Sequence, residues 1–291
     1  MNPKSGTMQA AKYLSDILQM YSAAGYMTTV LMTAKAGDAR DFALQYSGDY
    51  DITVCSGGDG TFNDVVNGVL TAGSGCPIGY IPSGSTNDFA TSAGLPKPIL
   101  EAAARVVNGT PRMFDMGDFN GRNFSYVASF GAFTSTSYSV PQNVKNILGH
   151  SAYILQGIRD VVNIKPVHAE FLCDEGTTDE VRFEGDYVFG AVCNATIVGG
   201  VLKLDPLDVD MNDGRHEVIL IETPRNLIEL NETALALLDG SLKAPHVHFH
   251  SARDVRVRID AGTHWTLDGE YEEGSEEVRI RNLRNAVRLI V

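Results

Sequence analysis

A run of small residues with one carboxylate follows an apolar stretch in the first quarter of the sequence. Residues 52–64 read ITVCSGGDGTFND, so Gly57 to Thr61 come directly after apolar side chains. Glycines let the backbone turn with a positive φ and let a ligand approach the main chain closely. Exposed backbone N–H groups, followed by a helix that Thr61 would cap, attract phosphate. Asp59 would repel a bare phosphate, so we predict that a nucleotide-bound Mg²⁺ lies between them.

A second loop with small and hydroxyl side chains occurs further along the chain. Residues 81–90 read IPSGSTNDFA, in which Gly84 permits a turn and Ser85 offers a hydroxyl. Asn87 and Asp88 can cap the helix that would follow. By itself this pattern fits an ordinary capped turn equally well. Next to the first loop it favours a shared anion site.

Two acidic turns in the last third of the sequence could also do chemistry. Residues 265–270 read WTLDGE, and Asp-Gly is most often a hairpin turn. The alternative makes Asp268 a general base toward a hydroxyl, its carboxylate exposed by the tight turn and Glu270 on the same face. The stretch 205–214 is rich in carboxylates and turn residues, which makes an oxygen-rich site for Mg²⁺ or Ca²⁺ plausible.

Composition and charge exclude several classes of protein. The chain has 291 residues, enough for two domains, and its 44% apolar content supports a large core. A net charge of −13 argues against nucleic acid as a partner and against general adhesion to an anionic membrane. Any membrane contact would need a local patch. No apolar stretch approaches the roughly 18 residues of a transmembrane segment.

Cysteine usage and the N-terminus predict a cytoplasmic location. The sequence shows no secretory signal pattern. Its 4 cysteines are scattered, without a C-x-x-C pair, which indicates reduced thiols and neither a disulfide framework nor a zinc site.

The first half of the sequence alternates helix and strand patterns. Hydrophobic spacing predicts helices over 8–21, 37–46, 61–70 and 99–107 and strands over 28–32, 52–55 and 77–81. Alternation of this kind predicts a three-layer α/β domain with a parallel sheet. Both glycine-rich loops follow strands, so they should lie at the carboxyl edge, where such sheets bind ligands.

The second half is rich in β patterns. Asn120-Gly121 predicts a hairpin turn, and β-rich runs cover 166–173, 179–195, 215–222, 246–250 and 254–260, with helices over 141–162 and 224–239. This pattern predicts an antiparallel β-sandwich-like domain. We expect a first domain over 1–113 and a second domain over 114–279, with a last strand at about 280–291 returning to the first domain.

The beginning of the sequence does not fit a parallel sheet simply. Met1 to Gly6 form a turn-like loop with no strand before it, whereas such a sheet normally opens with a strand. Two explanations remain open: that strand is missing from this version of the chain, or the sheet starts elsewhere.

These motifs together resemble the diacylglycerol kinase-type lipid kinases, in particular their soluble bacterial branch. The resemblance covers essentially the whole chain and depends on the order of the motifs. They are Asn2 to Gly6, Gly57 to Thr61 with Asn63, Val66 to Gly68, Pro82 to Ala90, Phe114 to Gly117, Lys145 to Gly149 with Ala152-Tyr153, Asn212 to Gly214, and Leu267 to Glu270.

The resemblance implies Mg²⁺-dependent transfer of the γ-phosphoryl group of ATP to a lipid hydroxyl, most simply that of diacylglycerol, giving phosphatidic acid. It implies an active site between the two domains and action at the membrane surface by a cytoplasmic enzyme. For the oligomeric state, a homodimer is the hypothesis to test.

The resemblance also assigns roles to individual residues. It gives Asp268 the role of catalytic base, with Glu270 beside it, and makes Asp115 an interdomain carboxylate. Nucleotide contacts fall to Asn2, Ser5, Gly57, Gly58, Asp59, Gly60, Thr61 and Ser85, with Asp59 serving the Mg²⁺–ATP. A structural Mg²⁺ would bind near Asp213 and the backbone of Arg215.

Two departures from the family pattern accompany these roles. Ser85 stands where Thr is usual, and Asn212 where a second Asp is frequent, which removes one charge from the metal site. Two alternative functions remain: a small-molecule kinase of the NAD-kinase or phosphofructokinase type, and a non-catalytic nucleotide- or lipid-binding relative. Residues 82–90 and the β-rich half disfavour the first alternative, and the intact Asp59 and Asp268 disfavour the second.

Overall fold

A computed structural model describes residues 1–6, 9–132, 165–199, 202–226, 229, 232–233 and 246–291. These residues divide into two compact units. Unit 1 comprises Met1–Met116 and Arg284–Val291, and unit 2 comprises Gly117–Leu283. The predicted helices over 141–162 and most of 224–239, and Lys145 with them, lie outside the described residues.

The helices are α1 Gln9–Lys12, α2 Leu14–Ala23, α3 Asp38–Tyr46, α4 Asp59–Ala72, α5 Asp88–Ser92 and α6 Ile99–Asn108. The strands are β1 Thr53–Gly57, β2 Ile78–Pro82, β3 Pro111–Phe119, β4 Arg122–Phe124, β5 Val127–Gly131, β6 Val167–Cys173, β7 Val181–Cys193, β8 Ile197–Val198, β9 Leu202–Lys203, β10 His216–Glu222, β11 Val247–Ala252, β12 Asp254–Ile259, β13 Trp265–Leu267, β14 Glu270–Glu272 and β15 Glu277–Ile290. None of the helices in the described ranges is long and apolar enough to cross a membrane.

Unit 1 has a parallel sheet with helices on both faces. Strand β1 pairs in parallel with β2, which pairs in parallel with the end of β15 through Ile78 and Leu289. Neighbouring strand residues point to opposite faces. Tyr80 accordingly stacks on Phe62 of α4, with ring centroids 4.5 Å apart, while Ile81 packs in a cluster with residues of α2 and α6.

The predicted strand over 28–32 is wrong in this structure. Residues 26–34 belong to neither a helix nor a strand. Among the described residues, the backbone contacts of this segment with an extended neighbour are those to Met1, whose ammonium donates to Leu31 O and whose carbonyl accepts from Thr33 N. A β-prone sequence becomes a strand only when another strand pairs with it.

Unit 2 is built from antiparallel strands. Strand β12 pairs with β15 and β6, β6 with β7, β7 with β5 and β10, and β5 with β13. Their inward side chains form one apolar core that includes Phe130, Phe171 and the fully buried Trp265. The predicted hairpin at Asn120-Gly121 is confirmed, because these residues have φ of 48° and 93° between β3 and β4.

Candidate active site

The two glycine-rich loops lie in contact at the carboxyl ends of neighbouring strands. Gly57 at the end of β1 pairs with Pro82 at the end of β2, and Ser83 N donates to Gly57 O at 2.7 Å. A Cβ on Gly84 would stand 2.5 Å from the Cα of Gly58. Because that distance excludes a side chain, the backbones of both loops lie directly against each other at one edge of the sheet.

This contact gives a different reason for glycine from the one expected. Gly57, Gly58 and Gly84 are not among the residues with positive φ, and Gly58 has φ of −93°. The expectation that these three glycines supply left-handed backbone is therefore wrong. They need the absence of Cβ, since a Cβ on Gly57 would lie 2.5 Å from the Cβ of Thr61.

Asp59 joins the two loops. Its Oδ2 accepts hydrogen bonds from the Thr86 hydroxyl and from Asp88 N, both at 3.2 Å, and its Oδ1 accepts one from Phe89 N at 3.4 Å. The side chain is buried, and this burial raises the pKa of Asp59, whereas the hydrogen bonds from Asp88 N and Thr86 act in the opposite direction. Asp59 thus holds the N-terminus of α5 against the start of α4.

Thr61 differs from its predicted role as a helix cap. Helix α4 begins at Asp59, with Gly58 at the N-cap position, so Thr61 lies inside the first turn and Gly60 beside it. The Thr61 hydroxyl accepts a hydrogen bond from Asn2 Nδ2 at 3.2 Å. The motif therefore starts its helix two residues earlier than the sequence suggested.

The N-terminal loop packs on both glycine-rich loops. Asn2 N donates to Ser56 O at 2.8 Å, and Ser5 is buried. Gly6 has φ of +52°, and a Cβ there would lie 2.3 Å from Ser83 O. The structure thus brings Asn2 and Ser5 together with Gly57 to Thr61.

Ser85 stands exposed at the tip of the second loop. Asn87, in left-handed conformation with φ of 53°, closes this loop: its Oδ1 accepts from Gly84 N at 2.8 Å and its Nδ2 donates to Gly84 O at 3.0 Å. The cap that the sequence assigned to Asn87 and Asp88 is supplied by Asp59 instead.

Asp268 in unit 2 is a buried carboxylate held by backbone amides. It has φ of 51°, Gly269 has φ of 86°, and together they turn β13 into β14. Its carboxylate accepts hydrogen bonds from the N–H groups of Ser125 at 2.5 Å, Tyr126 at 2.9 Å and Val127 at 3.1 Å. The expectation of an exposed carboxylate is wrong, since Asp268 is only 6% exposed, whereas the Glu270 side chain is exposed.

Asp115 is fully buried on β3. Its Oδ1 accepts a hydrogen bond from Asn285 N at 2.7 Å, in the last segment of unit 1. The structure therefore gives this carboxylate a role in holding the end of the chain, and its interdomain role stays a prediction.

The acidic turn of unit 2 carries the two predicted metal-site residues. Asp213 Oδ1 accepts from Arg215 N at 2.8 Å around Gly214, and the Arg215 carbonyl accepts from Asn282 Nδ2 at 3.0 Å. In the part of the chain that the structure describes, no group of three His, Cys, Asp or Glu side chains is arranged to hold a metal ion.

Glu217 is a nearby residue that the sequence reasoning missed. It is 1% exposed, and its Oε2 is buried without a hydrogen-bond partner among the described residues. Burial, followed by the charge of Asp213, raises the pKa of Glu217 to about 8. The sequence signal is weak, because Glu217 follows His216 at the start of β10 and precedes its apolar run Val218 to Ile221.

Two family models match this chain. Residues 1–119 match the family model of the diacylglycerol kinase catalytic domain. Residues 128–291 match that of the YegS C-terminal NAD kinase beta sandwich-like domain.

Similar proteins span nearly the whole chain. The diacylglycerol kinase of Bacillus subtilis is 36% identical over 273 residues, which cover 93% of this chain and 88% of that protein. The diacylglycerol kinase of Staphylococcus saprophyticus is 33% identical over 272 residues, 93% of this chain and 87% of that protein.

Among solved structures, one chain from Bacillus anthracis shares the fold with a TM-score of 0.82 at 22% identity, covering 99% of this chain and 92% of its own length. A diacylglycerol kinase from the same organism does so with a TM-score of 0.76 at 19% identity, covering 99% and 94%. The predicted fold class, a nucleotide-binding α/β domain followed by a β-sandwich domain, is thereby confirmed.

The diacylglycerol kinase catalytic domain, together with relatives of the same name that cover most of the chain, defines the class as a diacylglycerol kinase-like lipid kinase. The chain belongs to the diacylglycerol kinase family, in its bacterial branch, and is a diacylglycerol kinase-type enzyme. The resemblance of the ordered motifs is therefore confirmed.

Proposed function

We propose that the protein transfers the γ-phosphoryl group of ATP to the hydroxyl of diacylglycerol, giving phosphatidic acid, in a reaction that requires Mg²⁺. The observation that carries this proposal is the pair of glycine-rich loops in backbone contact at the carboxyl ends of β1 and β2. Phosphoryl transfer needs positioning and charge neutralisation more than covalent chemistry, and such loops supply positioning.

The nucleotide phosphates are assigned to unit 1. Gly57 to Thr61 form the main phosphate loop, because they lead into the N-terminus of α4, where backbone N–H groups attract an anion. Asn2 and Ser5 add contacts from the N-terminal loop, and Ser85 adds an exposed hydroxyl. Asp59 serves the Mg²⁺ that accompanies ATP, because a carboxylate beside phosphates needs a cation between them.

Proton transfer is assigned to unit 2. A lipid hydroxyl is a poor nucleophile at neutral pH, so a base must accept its proton as the bond to phosphorus forms. Asp268 is that base in this proposal, and the three N–H donors around it fix its orientation. Glu270 assists from the same hairpin, and Asp115 supports the site as a buried carboxylate.

A structural Mg²⁺ is assigned to Asp213 and the backbone of Arg215. Carboxylate and carbonyl oxygens are ligands that Mg²⁺ prefers, and the negative charge of Asp213 contributes to the raised pKa of the buried Glu217. A bound cation would neutralise this local excess of negative charge.

We further propose that the enzyme meets its lipid at the membrane surface from the cytoplasm. A net charge of −13 opposes general adhesion, so a local patch is needed, for which Lys145 is the candidate. Liposome binding should weaken in Lys145→Glu, and strong binding insensitive to that change would contradict this part of the proposal. We also propose that the enzyme works as a homodimer, and its molar mass in solution, measured by light scattering, tests this.

The test of the reaction is ATP turnover in mixed micelles. The acceptors are diacylglycerol, a sphingoid base and phosphatidylglycerol, with NAD and sugar phosphates as controls for the small-molecule alternative. We expect diacylglycerol to be phosphorylated in the presence of Mg²⁺ and not in the presence of a chelator. Phosphorylation of NAD without phosphorylation of any lipid would overturn the proposal.

A further inference from the structure

The second glycine-rich loop, residues 83–87, is attached to the first loop near both of its ends. Ser83 N donates a hydrogen bond to Gly57 O at 2.7 Å. The Thr86 hydroxyl donates one to Asp59 Oδ2 at 3.2 Å. Neither bond reaches the residues between these two points, so the course of the loop there depends on contacts inside the loop.

One side chain holds the middle of this loop. Asn87 Oδ1 accepts a hydrogen bond from Gly84 N at 2.8 Å, and Asn87 Nδ2 donates one to Gly84 O at 3.0 Å. A single planar amide group thereby binds both backbone groups of one residue. An asparagine amide offers an acceptor and a donor together, whereas an ionised aspartate of the same length offers acceptors alone. The asparagine side chain is therefore matched to the backbone of Gly84.

The same amide group lies where the two loops touch. A Cβ on Gly84 would stand 2.5 Å from the Cα of Gly58 and 2.8 Å from Asn87 Oδ1. The first loop and the Asn87 amide thus both pack against Gly84, which leaves it little room to move. It follows that Asn87 holds Gly84 against the first loop.

The position of Ser85 depends on its two neighbours in the chain. Ser85 is exposed, and no hydrogen bond joins it to another residue in the part of the chain that the structure describes. The residue before it, Gly84, is held by Asn87. The residue after it, Thr86, is held by Asp59. The place of the Ser85 hydroxyl is therefore set through these neighbours.

The backbone of Asn87 allows the contribution of its side chain to be tested separately. Asn87 has φ of 53° and ψ of 50°, a left-handed conformation that few L residues other than Asn and Asp adopt readily. In this conformation its carbonyl accepts a hydrogen bond from Thr91 N at 3.0 Å, at the start of α5. Glycine adopts the same backbone without strain. Asn87→Gly should therefore keep the turn and remove only the amide group.

We propose that Asn87 is a positioning residue for the nucleotide: its amide group holds Gly84 against the first loop and so sets the place at which Ser85 meets the phosphates. The inference rests on the proposed function, in which Ser85 contacts the nucleotide. It adds a residue that acts through Ser85 and makes no phosphate contact of its own.

The test compares two asparagine-to-glycine variants of the whole chain. Asn120, in the hairpin between β3 and β4, is the matched control because it also has left-handed backbone, with φ of 48°. Its amide group also binds backbone, since Oδ1 accepts from Arg279 N at 2.8 Å and Nδ2 donates to Glu277 O at 3.4 Å. Each variant thus loses one amide group and two hydrogen bonds, and both should show a lowered Tm.

ATP affinity, measured by calorimetry, separates positioning from stability. We expect Asn87→Gly to weaken ATP binding by at least about 10-fold, and to raise the KM for ATP while leaving the KM for diacylglycerol unchanged. Exchange of the Gly84 N–H should become at least about 10-fold faster, because this group loses its acceptor. Asn120→Gly should change neither ATP affinity nor the exchange of Gly84.

A double-mutant cycle tests whether Asn87 acts through Ser85. Asn87→Gly should weaken ATP binding less in the Ser85→Ala protein than in the unaltered protein. Fully additive losses would overturn the inference, as would equal ATP affinities in Asn87→Gly and Asn120→Gly or unchanged exchange of Gly84. An unaltered protein that binds no ATP would overturn the proposed function, and the inference with it, before any variant is compared.

Discussion

Two carboxylates, Asp59 and Asp268, combine a structural and a proposed chemical role. Each is buried, and each accepts hydrogen bonds from the backbone of another segment, α5 for Asp59 and residues 125–127 for Asp268. A substitution at either residue therefore removes a support of the loop as well as a charge. Measurements of activity at these residues must be paired with measurements of stability.

Asp59→Ala should abolish turnover. The substitution removes the carboxylate proposed to serve Mg²⁺–ATP and leaves the N–H groups of Asp88 and Phe89 without their acceptor, which costs about 1–3 kcal/mol in unfolding free energy. Turnover and thermal unfolding are measured together, with the exposed Asp49→Ala as control. A variant that unfolds at a lower temperature but keeps most of its activity would refute the chemical role.

Asp268→Asn should lower kcat by at least about 10²–10⁴-fold, the usual contribution of a general base, with little change in ATP affinity. The Asn amide group would also face one of the N–H donors of residues 125–127, so some loss of stability is expected. The exposed Glu270→Gln is the comparison within the same hairpin.

A loss below about 10-fold in folded Asp268→Asn would mean that the proton goes elsewhere, for example directly to a phosphate oxygen. A loss larger in Glu270→Gln than in Asp268→Asn would move the role of base to Glu270.

At the scale of elements, hydrophobic spacing predicted most helices and strands because their apolar faces are buried as the pattern requires. Phe62, Val66 and Val69 of α4, for instance, are all buried. The prediction that failed concerned a segment whose structure depends on contacts with residues distant in sequence. The segment 28–32 has a strand sequence without a partner strand, and a strand needs its partner.

The candidate site could be predicted only in part from the sequence, because it too depends on contacts between distant segments. The sequence shows that Gly58 and Gly84 are small, but it does not show that they touch each other. Nor does it show that Asp268, in an Asp-Gly turn typical of exposed hairpins, is buried against three backbone amides. Contacts between distant segments decide both points.

Gly84→Ala should weaken nucleotide binding by at least about 10-fold, because the new Cβ would lie 2.5 Å from the Cα of Gly58 and force the loops apart. The matched control is Gly48→Ala, since a Cβ on Gly48 meets nothing within 4 Å. ATP affinity is measured by calorimetry. Equal affinities in the two variants would show that loop contact does not shape the nucleotide site.

At the scale of the whole molecule, stability depends on pH through buried groups whose pKa differs between the folded and the unfolded chain. Glu217 is the clearest case, since burial and Asp213 together keep it protonated near neutral pH. His216, the adjacent residue, is also buried, and burial lowers its pKa to about 3. These two side chains connect the stability of unit 2 to pH with opposite signs.

The resulting pH dependence of the free energy of unfolding should be measurable with a chelator present, which removes bound Mg²⁺. The pKa of Glu217 is raised from 4.5 to about 8, so its contribution to stability is fully present below pH 4.5 and is lost as pH rises to 8. The pKa of His216 is lowered from 6.5 to about 3, so its contribution is present above pH 6.5 and is lost as pH falls to 3. Between pH 4.5 and 6.5 the two slopes oppose each other.

We therefore expect unfolding free energy to decline above pH 6.5, by at most about 1.4 kcal/mol per pH unit, and this decline should disappear in Glu217→Gln. Exposed carboxylates titrate at lower pH, so the comparison of the two proteins between pH 6.5 and 8 isolates Glu217. Mg²⁺ bound near Asp213 would favour ionised Glu217. It should therefore reduce the decline of unfolding free energy between pH 6.5 and 8, by an amount that grows with Mg²⁺ concentration. Denaturant unfolding at several pH values, with chelator and with Mg²⁺, measures both effects. Identical pH profiles for the protein and Glu217→Gln would contradict the effect of burial on the pKa of Glu217. A decline above pH 6.5 that Mg²⁺ does not change would contradict the cation site.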